Sequence, residues 1–435
     1  MTERDSTLPR RAGPEAAPRL RVSHVATAIG LSALPFLPLL GRLDEAGGTL
    51  PGLANVTGFL GALLIWWQVL LGARRVSALL TADRVAVVRL HAWLGSGGAF
   101  FVLLHPLLEM TAEHHDLWYL VRIDFTWPES SFTSLGRVAV GMFLALWLTS
   151  TLLRAAVRYR TWRYTHYLSY PLAVLVFVHS YYLGTFLTEL PWLRAYWLAL
   201  ACSFAAVCAW RLAGPLLSPR YRLVRTERLS DTVTGYALAP EGRRAPRPAP
   251  GQFYHLRTAL LAPSHPLSAV GCAADGELAF AVRDAGPFTE RLRALRPGDT
   301  VFVDGPYGTF TREARVGDRP TVLVAGGVGI TPFVELVRRH PAGVTLFHVT
   351  RSPEEAVFGA ELRDRLGAGY VNAVSGPGAG RPDFDARDVL RRVGPAARRA
   401  RFFVCGSPGF VERVAAGLRD EGISADRVLT EEFEL

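Results

Sequence analysis

The sequence is 435 residues long and contains no lysine, three methionines and four cysteines. The cysteines, at positions 202, 208, 272 and 405, form neither a CxxC pair nor a zinc-site spacing, so neither a disulfide framework nor an iron–sulfur cluster is indicated. Because lysine is absent, arginine alone carries the net charge of +10. Many arginines flank apolar runs, where a membrane explains them better than a nucleic acid does.

Hydrophobic residues make up 50% of the chain and are concentrated in its first half. Residues 22–213 are largely apolar, whereas residues 218–435 have the composition of a soluble chain. We therefore predict a membrane domain at 22–214, preceded at 1–21 by a disordered cytosolic tail with no cleavable signal peptide. Six apolar runs predict six transmembrane helices. These runs lie near residues 22–40, 52–72, 87–110, 133–153, 164–187 and 191–213.

Arginine is distributed unevenly between the segments that connect the apolar runs. The N-terminal tail and two connecting segments are rich in arginine, whereas the other loops are richer in acidic residues. The positive-inside rule then places both termini in the cytosol and predicts a multi-pass protein of the cytoplasmic membrane. The arginines concerned are Arg10, Arg11, Arg19, Arg21, Arg74, Arg75, Arg84, Arg89, Arg154, Arg158, Arg160 and Arg163.

Four histidines stand in two pairs within apolar runs, His91 with His105 and His166 with His179. An ionisable residue at membrane depth is costly, so by default it indicates function. Spacings of fourteen and thirteen residues separate the members of each pair by roughly 20 Å along a helix. A hydrocarbon core of ~30 Å therefore has room for one level of ligands near each face.

Two helices that each contribute one histidine per level can bind two stacked b-type haems through imidazole nitrogens. The predicted orientation makes His91 and His166 the inner pair, and His105 and His179 the outer pair. The alternative, in which each histidine only hydrogen-bonds a neighbouring helix, suits one histidine but does not explain four at matched depths. Thirteen residues place His179 ~140° away from the helix face of His166, and we expect a kink at Pro171 to correct this mismatch.

The second half of the sequence changes to short strands separated by turns. This pattern predicts a small antiparallel β-barrel at 218–316. The segment TVLVAGGVGITPF at 321–333 predicts a buried strand, a glycine-rich turn and the start of a helix, and alternating strands and helices continue to the end. Residues 317–435 are therefore predicted to form an α/β nucleotide-binding domain. The whole chain is predicted to be a multidomain membrane protein in which a six-helix bundle precedes these two domains.

Five short motifs follow one another in this soluble half. In chain order they are His265-Pro266-Leu267-Ser268, Gly286-Pro287-Phe288-Thr289, Gly305-Pro306-Tyr307-Gly308, Gly326-Gly327-Val328-Gly329-Ile330-Thr331-Pro332 and Cys405-Gly406-Ser407-Pro408. Glycines at the start of a helix let the backbone approach cofactor phosphates. A lone glycine-rich turn is weak evidence for a nucleotide-binding site. The last three of these segments, in this order, are strong evidence for one.

From about residue 50 to its last residue, the chain resembles the superfamily of transmembrane NADPH oxidases and ferric reductases, whose cytosolic half resembles ferredoxin–NADP reductase. The resemblance implies FAD in the barrel domain and NADPH, with NADH also possible, in the α/β domain. It also implies roles in hydride transfer for Cys405 and for Phe433, which stands where the family places an aromatic over the flavin. The residues implied for FAD are His265, Pro266, Leu267, Ser268, Arg283, Gly286 and Thr289. Those implied for the nicotinamide nucleotide are Gly305, Tyr307, Gly326, Gly327, Gly329, Thr331, Pro332, Arg351, Gly406 and Pro408.

Physical arguments accompany several of these flavin positions. Thr289 can cap a helix with the sequence TERLRAL, whose N-terminus suits a pyrophosphate. Arg283 can add a charge-assisted hydrogen bond to the same group. The resemblance places Ser268 in hydrogen-bonding distance of the flavin ring near its reactive nitrogen, and it shows Leu267 where the family usually has an aromatic over the ring.

The nicotinamide preference depends on the segment after the second strand of the α/β domain. Arg351 lies where family members meet the adenosine ribose, and a guanidinium there favours a 2′-phosphate and hence NADPH. Glu354 and Glu355 are close in sequence and favour NADH.

The combined parts predict electron transfer from NAD(P)H through FAD, the inner haem and the outer haem to an acceptor outside. Oxygen, giving superoxide, is the first expectation for this acceptor, and a ferric chelate is the second. An outer-loop cluster that could hold a metal ion favours the ferric chelate, although a solvated acidic loop is the more ordinary explanation. This cluster comprises Glu109, Glu113, His114, His115 and Asp116.

Three other classes of protein also use membrane haem. A respiratory cytochrome b subunit would lack the fused nicotinamide module, and a haem sensor would not need it. A haem subunit that passes electrons to a periplasmic protein is a third alternative, for which the fused reductase makes a separate partner less necessary. A protein partner is therefore possible but not indicated, and no nucleic acid is expected.

Overall fold

The computed structural model describes residues 22–80, 84–315, 319–375 and 384–433. The predicted cytosolic tail at 1–21, the predicted domain boundary at 316–317 and the last two residues lie outside the described part of the chain. The chain forms two compact units that divide between Arg211 and Leu212.

Long apolar helices dominate the first half of the chain, as predicted. Their bounds are α1 (Val22–Ser32), α2 (Thr49–Gly72), α3 (Arg74–Leu80), α4 (Arg84–Ala112), α5 (Pro128–Ser150), α6 (Tyr159–His166), α7 (Ser169–Leu183), α8 (Thr185–Glu189) and α9 (Pro191–Leu217). After α1, residues Leu34–Gly41 form a 3₁₀ helix that contains Pro35 and Pro38. Proline lacks an N–H and its ring clashes with the preceding turn, so these two residues interrupt the α-helix.

Five segments of the described chain are long and apolar enough to cross a membrane. They are Val22–Gly41, Thr49–Gly72, Ala86–Ala112, Pro128–Ser150 and Pro191–Leu217. The prediction of six spans differs at the fifth apolar run, near 164–187, which the structure divides among α6, α7 and α8. The architecture of a multi-pass helical domain is otherwise the predicted one.

Pro171 explains the division of the fifth run. The Pro171 ring excludes the carbonyl group of Tyr167 from a regular helical turn. The N–H groups of Tyr167 and Leu168 donate instead to carbonyls three residues back, on Tyr164 and Thr165, at 3.2 and 3.0 Å. The helix therefore breaks between α6 and α7, directly after His166.

Helix α2 is the centre of the first unit. In its most apolar stretch 61% of the residues are buried, against 22% or less in the other four segments. This difference indicates that α2 packs against protein on most sides, whereas the other helices expose broad apolar surfaces suited to lipid. Aromatic rings close the core beside it, because Phe59 stacks on Phe36 at 5.5 Å and meets Trp197 at 5.1 Å.

The second unit begins with the predicted antiparallel barrel, which is closed. Its strands are β1 (Arg220–Arg228), β2 (Val233–Glu241), β3 (Phe253–Arg257), β4 (His265–Cys272), β5 (Leu278–Arg283) and β6 (Thr300–Tyr307). They pair in the order β1-β2-β5-β4-β3-β6, with β6 closing on β1. Helix α10 (Pro287–Arg293) connects β5 to β6. Alternate residues such as Tyr221, Leu223 and Tyr254 point inward and are fully buried.

The predicted α/β domain is a five-stranded parallel sheet with helices on both faces. Its strands are β7 (Thr321–Gly326), β8 (Val344–Thr350), β9 (Tyr370–Val374), β10 (Arg401–Gly406) and β11 (Val428–Glu432). Its helices are α11 (Thr331–Arg339), α12 (Gly359–Leu366), α13 (Ala386–Val393) and α14 (Pro408–Asp420). The strand order is β11-β10-β7-β8-β9, so β7 and β10 are neighbours. The glycines that end both strands, Gly326 and Gly406, therefore meet at the carboxyl edge of the sheet.

Candidate functional site

The structure brings the four membrane histidines together in two pairs. Helix α4 supplies His91 and His105, α6 ends with His166, and α7 supplies His179. The ring centres of His91 and His166 are 6.0 Å apart, and those of His105 and His179 are 6.1 Å apart. The break after His166 lets two histidines thirteen residues apart face the same neighbouring helix.

Three of these histidines hydrogen-bond a backbone carbonyl through Nδ1. His91 donates to Gln68 at 3.2 Å, His105 to Ala54 at 2.8 Å and His179 to Phe132 at 2.8 Å. A carbonyl can only accept, so this contact places the proton on Nδ1 and leaves the lone pair on Nε2. A histidine oriented in this way is prepared to ligate a metal through Nε2.

His166 has a different partner from the other three. Its Nδ1 lies 3.4 Å from the hydroxyl oxygen of Ser150, which also accepts a hydrogen bond from the indole N–H of Trp162 at 3.1 Å. The indole ring stacks on the His166 ring at 5.1 Å. In the His91/His166 pair, one histidine is therefore supported by a backbone carbonyl and the other by a side-chain network, whereas both histidines of the His105/His179 pair are supported by backbone carbonyls.

Glycines on α2 and α5 make room for the rings of the His105/His179 pair. A Cβ atom on Gly136 would lie 2.6 Å from Cε1 of His179, and one on Gly58 would lie 3.0 Å from Nδ1 of His105. Both distances are shorter than normal contacts, so a larger residue would displace the ring or the helix. Glycine is thus required here for the close approach of an imidazole to a neighbouring backbone.

In the barrel, Ser268 has the buried and unsatisfied hydroxyl expected of a ligand-binding group. Ser268 is 5% exposed, and within the described part of the chain its hydroxyl oxygen has no hydrogen-bond partner. Such a group is costly unless something outside the chain satisfies it. Ser268 on β4 pairs with Phe253 on β3, which places an aromatic side chain beside it.

The aromatic residues of this region were only partly anticipated from the sequence. The family's aromatic position holds Leu267, which packs against the barrel core. Phe253 and Tyr307 lie beside each other with ring centres 6.1 Å apart, and His255 lies within 5.6 Å of both. Sequence analysis did not assign Phe253 or His255, although a GQFYHLR strand preceding the motif was the available signal.

The second flavin motif is arranged differently from the prediction at Thr289. Helix α10 begins at Pro287, and Gly286 is its N-cap, so Thr289 lies inside the first turn. Its hydroxyl accepts from the N–H of Ala285 at 2.8 Å and donates to the carbonyl of Gly286 at 2.9 Å. Proline starts the helix two residues earlier because its missing N–H is not needed there. Thr289 therefore shapes the turn but does not cap the helix.

Other residues of the predicted flavin site lie around this turn. The ring of His265 stacks on Phe288 at 4.0 Å, which joins the first motif to the second. The guanidinium of Arg283 reaches toward the glycine-rich turn, because a Cβ atom on Gly327 would lie 4.0 Å from its Nη1. Arg283 thus stands between the barrel motifs and the α/β motifs.

The glycine-rich turn after β7 is packed tightly against the end of β10. A Cβ atom on Gly329 would lie 2.4 Å from the carbonyl oxygen of Cys405, and Gly327 has a φ of +55°. The Thr331 hydroxyl donates to the carbonyl of Val328 at 3.1 Å, and Pro332 follows in the first turn of α11. Pro408 likewise begins α14. Two helix N-termini therefore start next to each other at this edge, an arrangement suited to phosphate groups.

The buried histidine of β8 supports the same turn. His348 is fully buried, its Nε2 donates to the carbonyl of Gly327 at 3.0 Å, and its Nδ1 lies 3.3 Å from the hydroxyl of Tyr370. Burial lowers the pKa of His348 to about 4, so the ring is neutral at physiological pH.

Cys405, Glu431 and Phe433 come together at the ends of β10 and β11. Cys405 lies beside Glu431 in the parallel register, and the N–H of Phe433 donates to the carbonyl of Gly406 at 2.9 Å. Burial raises the pKa of Glu431 to about 7 and raises that of the Cys405 thiol. Within the described part of the chain, Oε1 of Glu431 has no hydrogen-bond partner. Sequence analysis missed Glu431, whose position two residues before Phe433 was the only signal.

Arg351 lies at the carboxyl end of β8 with an exposed side chain. Within the described residues, no carboxylate lies within 4.0 Å of its guanidinium. Glu354 lies nearby in the sequence, and a hydrogen bond from the Ser352 hydroxyl holds the pKa of its carboxyl below the usual range. The arginine is thus accessible to an anionic ligand.

The outer-loop residues proposed as a metal site are not gathered into one. His115 hydrogen-bonds Glu113 at 2.9 Å and stacks on Tyr119 at 4.2 Å. No group of three histidine, cysteine or acidic side chains suited to a metal ion occurs in the described ranges. The solvated-loop interpretation of these residues fits the structure better.

A multi-pass helical domain, followed by a closed barrel and a parallel sheet with paired glycine turns, defines a class of protein. It is a membrane-bound, NAD(P)H-dependent oxidoreductase built around a flavoprotein reductase module. Residues 57–177 match the family described as the ferric reductase like transmembrane component. A ferric reductase like transmembrane component followed by a ferredoxin–NADP reductase-like module is the architecture of transmembrane ferric reductases and NADPH oxidases.

Relatives of the second half are reductases and electron-transfer proteins. The chain is 35% identical over 193 residues to a probable dihydroorotate dehydrogenase B (NAD(+)) electron transfer subunit from Methanopyrus kandleri, covering 43% of this chain and 69% of that protein. It is 25% identical over 241 residues to the reductase component of propane 2-monooxygenase from Rhodococcus jostii, covering 50% and 64% of the two chains. The chain thus spans about two-thirds of these relatives' lengths.

A solved structure also aligns with this half of the chain. It is the flavohem-like FAD/NAD-binding domain of nitric oxide dioxygenase from Vibrio cholerae, with 22% identity and a TM-score of 0.42. The alignment covers 50% of this chain and 98% of that domain.

Proposed function

We propose that the protein transfers electrons across the cytoplasmic membrane, from cytosolic NADPH through FAD and two b-type haems to oxygen, which is reduced to superoxide. The proposal assigns both termini to the cytosol, on the distribution of arginine between the loops. The observation that carries it is the pairing of His91 with His166 and of His105 with His179 at closely similar distances.

The separation of the rings suits one iron atom between each pair. An imidazole nitrogen binds a transition metal at about 2 Å, and the ring centre lies about 1 Å behind it, so two axial imidazoles have centres about 6 Å apart. The observed separations are 6.0 and 6.1 Å. Proton placement on Nδ1 in three of the histidines leaves the lone pair on Nε2, which is the donor that haem iron takes from histidine.

Bound haem supplies one-electron transfer, and bound FAD converts the two-electron donor into such single steps. In each pair both histidines would be ligands of the haem iron, so the chemistry supplied at each level would be electron transfer. His105 and His179 would hold the haem that supplies single electrons to oxygen in this proposal.

The residues of the reductase module have separate roles in this proposal. The unsatisfied hydroxyl of Ser268 would donate to the flavin ring, and Phe433 would cover the ring until the nicotinamide replaces it. Glu431, with a pKa near 7, can hold or release a proton at the ring edge. The buried Cys405 remains a neutral thiol that packs beside the nicotinamide. Gly326, Gly329 and the two helix N-termini would bind the phosphates.

NADPH is the proposed donor because Arg351 is exposed and free of a carboxylate partner among the described residues. A guanidinium binds a 2′-phosphate through charge-assisted hydrogen bonds, which NADH cannot offer. Ferric reduction and electron delivery to a protein partner are the alternatives, but no described metal-binding group favours the first.

The test uses the purified full-length protein. We expect one FAD per chain, and two haems per chain by pyridine haemochrome assay. We also expect complete haem reduction by NADPH under nitrogen. Oxygen should then reoxidise the haems with formation of superoxide, measured as reduction of cytochrome c that superoxide dismutase abolishes. Replacing both His114 and His115 with alanine should leave this rate unchanged. A protein without haem, or one that reduces only a ferric chelate and depends on these two histidines, would contradict the proposal.

A further inference from the structure

An arginine within α5 is not used by the function proposed above. Arg137 directly follows Gly136, the glycine whose Cα approaches the His179 ring, so it lies at the depth of the His105/His179 pair. Its guanidinium is within electrostatic range of the His179 ring. A charged side chain at this depth is costly and indicates a function by default.

The known contacts of Arg137 are with the loop between α4 and α5. Its Nη1 donates to the carbonyl of Arg122 at 2.7 Å, and its guanidinium lies over the Tyr119 ring with its carbon 4.3 Å from the ring centre. These contacts fold the loop back over the outer end of the helices. They satisfy only part of the guanidinium, because its buried Nε has no hydrogen-bond partner within the described part of the chain.

Arg137 also forms no direct ion pair within the described part of the chain. Within the described ranges, no carboxylate lies within 4.0 Å of the guanidinium nitrogens. The nearby loop carboxylate of Asp124 interacts with Arg137 only at longer range, and it accepts hydrogen bonds from the N–H and hydroxyl of Thr126, at 2.9 and 2.5 Å. A partly buried cation with a free N–H donor calls for an anion from outside the chain.

We infer that Arg137 binds an anionic oxygen group at the level of the His105/His179 pair. This inference rests on the proposed function, because the nearest source of such a group is a propionate carboxylate of a haem held by that pair. A phospholipid headgroup is the other source of the same chemistry. Arg137 would fix the orientation of a bound propionate and would compensate its negative charge.

The experiment compares the reduction equilibria of the two haems in purified wild-type protein, Arg137→Gln, Arg137→Lys and Tyr119→Leu. Each haem is titrated optically under nitrogen, and haem content is measured in the same samples. An uncompensated propionate favours oxidised iron, so Arg137→Gln should still bind two haems but shift one reduction equilibrium about tenfold, which is 59 mV for one electron. Arg137→Lys keeps the charge, so its reduction equilibrium should lie close to that of the wild-type protein.

Tyr119→Leu is the control for a purely structural role. It removes the ring under the guanidinium but leaves the charge, so it should leave both equilibria unchanged. If Arg137 only holds the loop in place, Tyr119→Leu and Arg137→Gln should have similar effects, and the inference is wrong. Equal equilibria in wild type and Arg137→Gln would also overturn it, while two haems per chain would leave the proposed function intact.

Two further arms identify the source of the anion. In protein loaded with haem dimethyl ester, whose propionates carry no charge, the difference between wild type and Arg137→Gln should disappear. If it persists there but disappears in protein freed of phospholipid, the anion is a headgroup phosphate. Either result supports an anion site at Arg137. Persistence of the difference under both conditions would mean that no external anion is bound.

Discussion

The two units of this protein place their chemical groups in different ways. In the helical unit, His91 and His105 lie on one helix and their partners lie on one interrupted helix, so the arrangement follows from counting residues. In the reductase unit, Ser268, Cys405 and Glu431 come from three different strands, one in the barrel and two in the α/β sheet. Regular spacing can therefore be predicted from a sequence, whereas a site assembled from separate strands depends on topology.

The helical unit also uses small residues where the reductase unit uses loops. Glycines on α2 and α5 let imidazole rings approach the backbone, and carbonyls of these two helices accept hydrogen bonds from the Nδ1–H groups. In the reductase unit, a glycine turn approaches the end of a neighbouring strand and leaves helix N-termini open. The first arrangement suits a cofactor that stays bound between helices, and the second suits a nucleotide that must bind and dissociate.

The largest effect is expected from removal of a paired histidine. Replacing His105 or His179 with alanine should reduce the haem content from two to one per chain and abolish transfer to oxygen, because the acceptor level is lost. Replacing His91 or His166 should instead remove the other haem and block its reduction by the flavin. Pyridine haemochrome assay and anaerobic reduction by NADPH measure both results. His24→Ala, outside the pairs, should retain both haems, and loss of haem in that variant would show that the assay reports folding.

A smaller effect is expected from a single methyl group beside the ring of His179. Gly136→Ala would place a Cβ 2.6 Å from that ring, so it should weaken haem retention at this level by about 10- to 100-fold, as changes around a metal ligand do. Gly141→Ala on the same helix is the matched control, because nothing lies within 4 Å of the added atom. Haem loss during dilution, followed optically, separates the two variants. Equal retention in both would show that packing around this histidine does not matter.

In the reductase unit, Arg351→Ser should change cofactor preference without changing the chemistry. Loss of a charge-assisted hydrogen bond of roughly 1.5–3 kcal/mol should raise the KM for NADPH by about 10- to 100-fold. The KM for NADH serves as the internal control and should stay within about twofold. Steady-state flavin reduction under nitrogen measures both constants. An equal rise for the two nucleotides would place Arg351 outside the ribose site.

The smallest effect concerns the pH dependence of stability at Glu431. Burial raises its pKa to about 7 in the folded protein, from 4.5 for a free side chain. Between these values the unfolded chain has already released the proton that the folded protein retains, so stability falls as pH rises and levels off above pH 7. Glu431→Gln should lose this dependence, measured as the temperature of flavin release at several pH values.

The neighbouring residue supplies the control for this last prediction. Glu432 is exposed, and Glu432→Gln should keep the wild-type pH dependence. If Glu431→Gln and wild type show the same pH profile, the carboxyl of Glu431 is not protonated in the folded protein. Its proposed role in holding a proton near the flavin would then be wrong.

The sequence by itself determined the class of architecture, the histidine spacing and the order of the cofactor motifs. Hydrophobicity at membrane length, strand alternation and glycine at helix starts are local signals, and each reflects a local physical requirement. They predicted the barrel and the sheet correctly and the bundle closely. The distortion expected at Pro171 is present, but the sequence did not predict that it would divide the fifth run into separate helices. The helix start at Thr289 was wrong because Pro287 starts that helix earlier.

Only the tertiary structure decided which groups face one another. In the structure, Glu431 lies beside Cys405, and Phe253 lies beside Ser268. Arg137 lies at the depth of His179, and the outer-loop acids and histidines are not gathered into a metal site. The members of these three pairs are separated by 26, 15 and 42 positions, and no periodicity relates them. The physical reason is that strand order and helix packing are set by burial of the whole core, whereas spacing within one helix is set by the backbone alone.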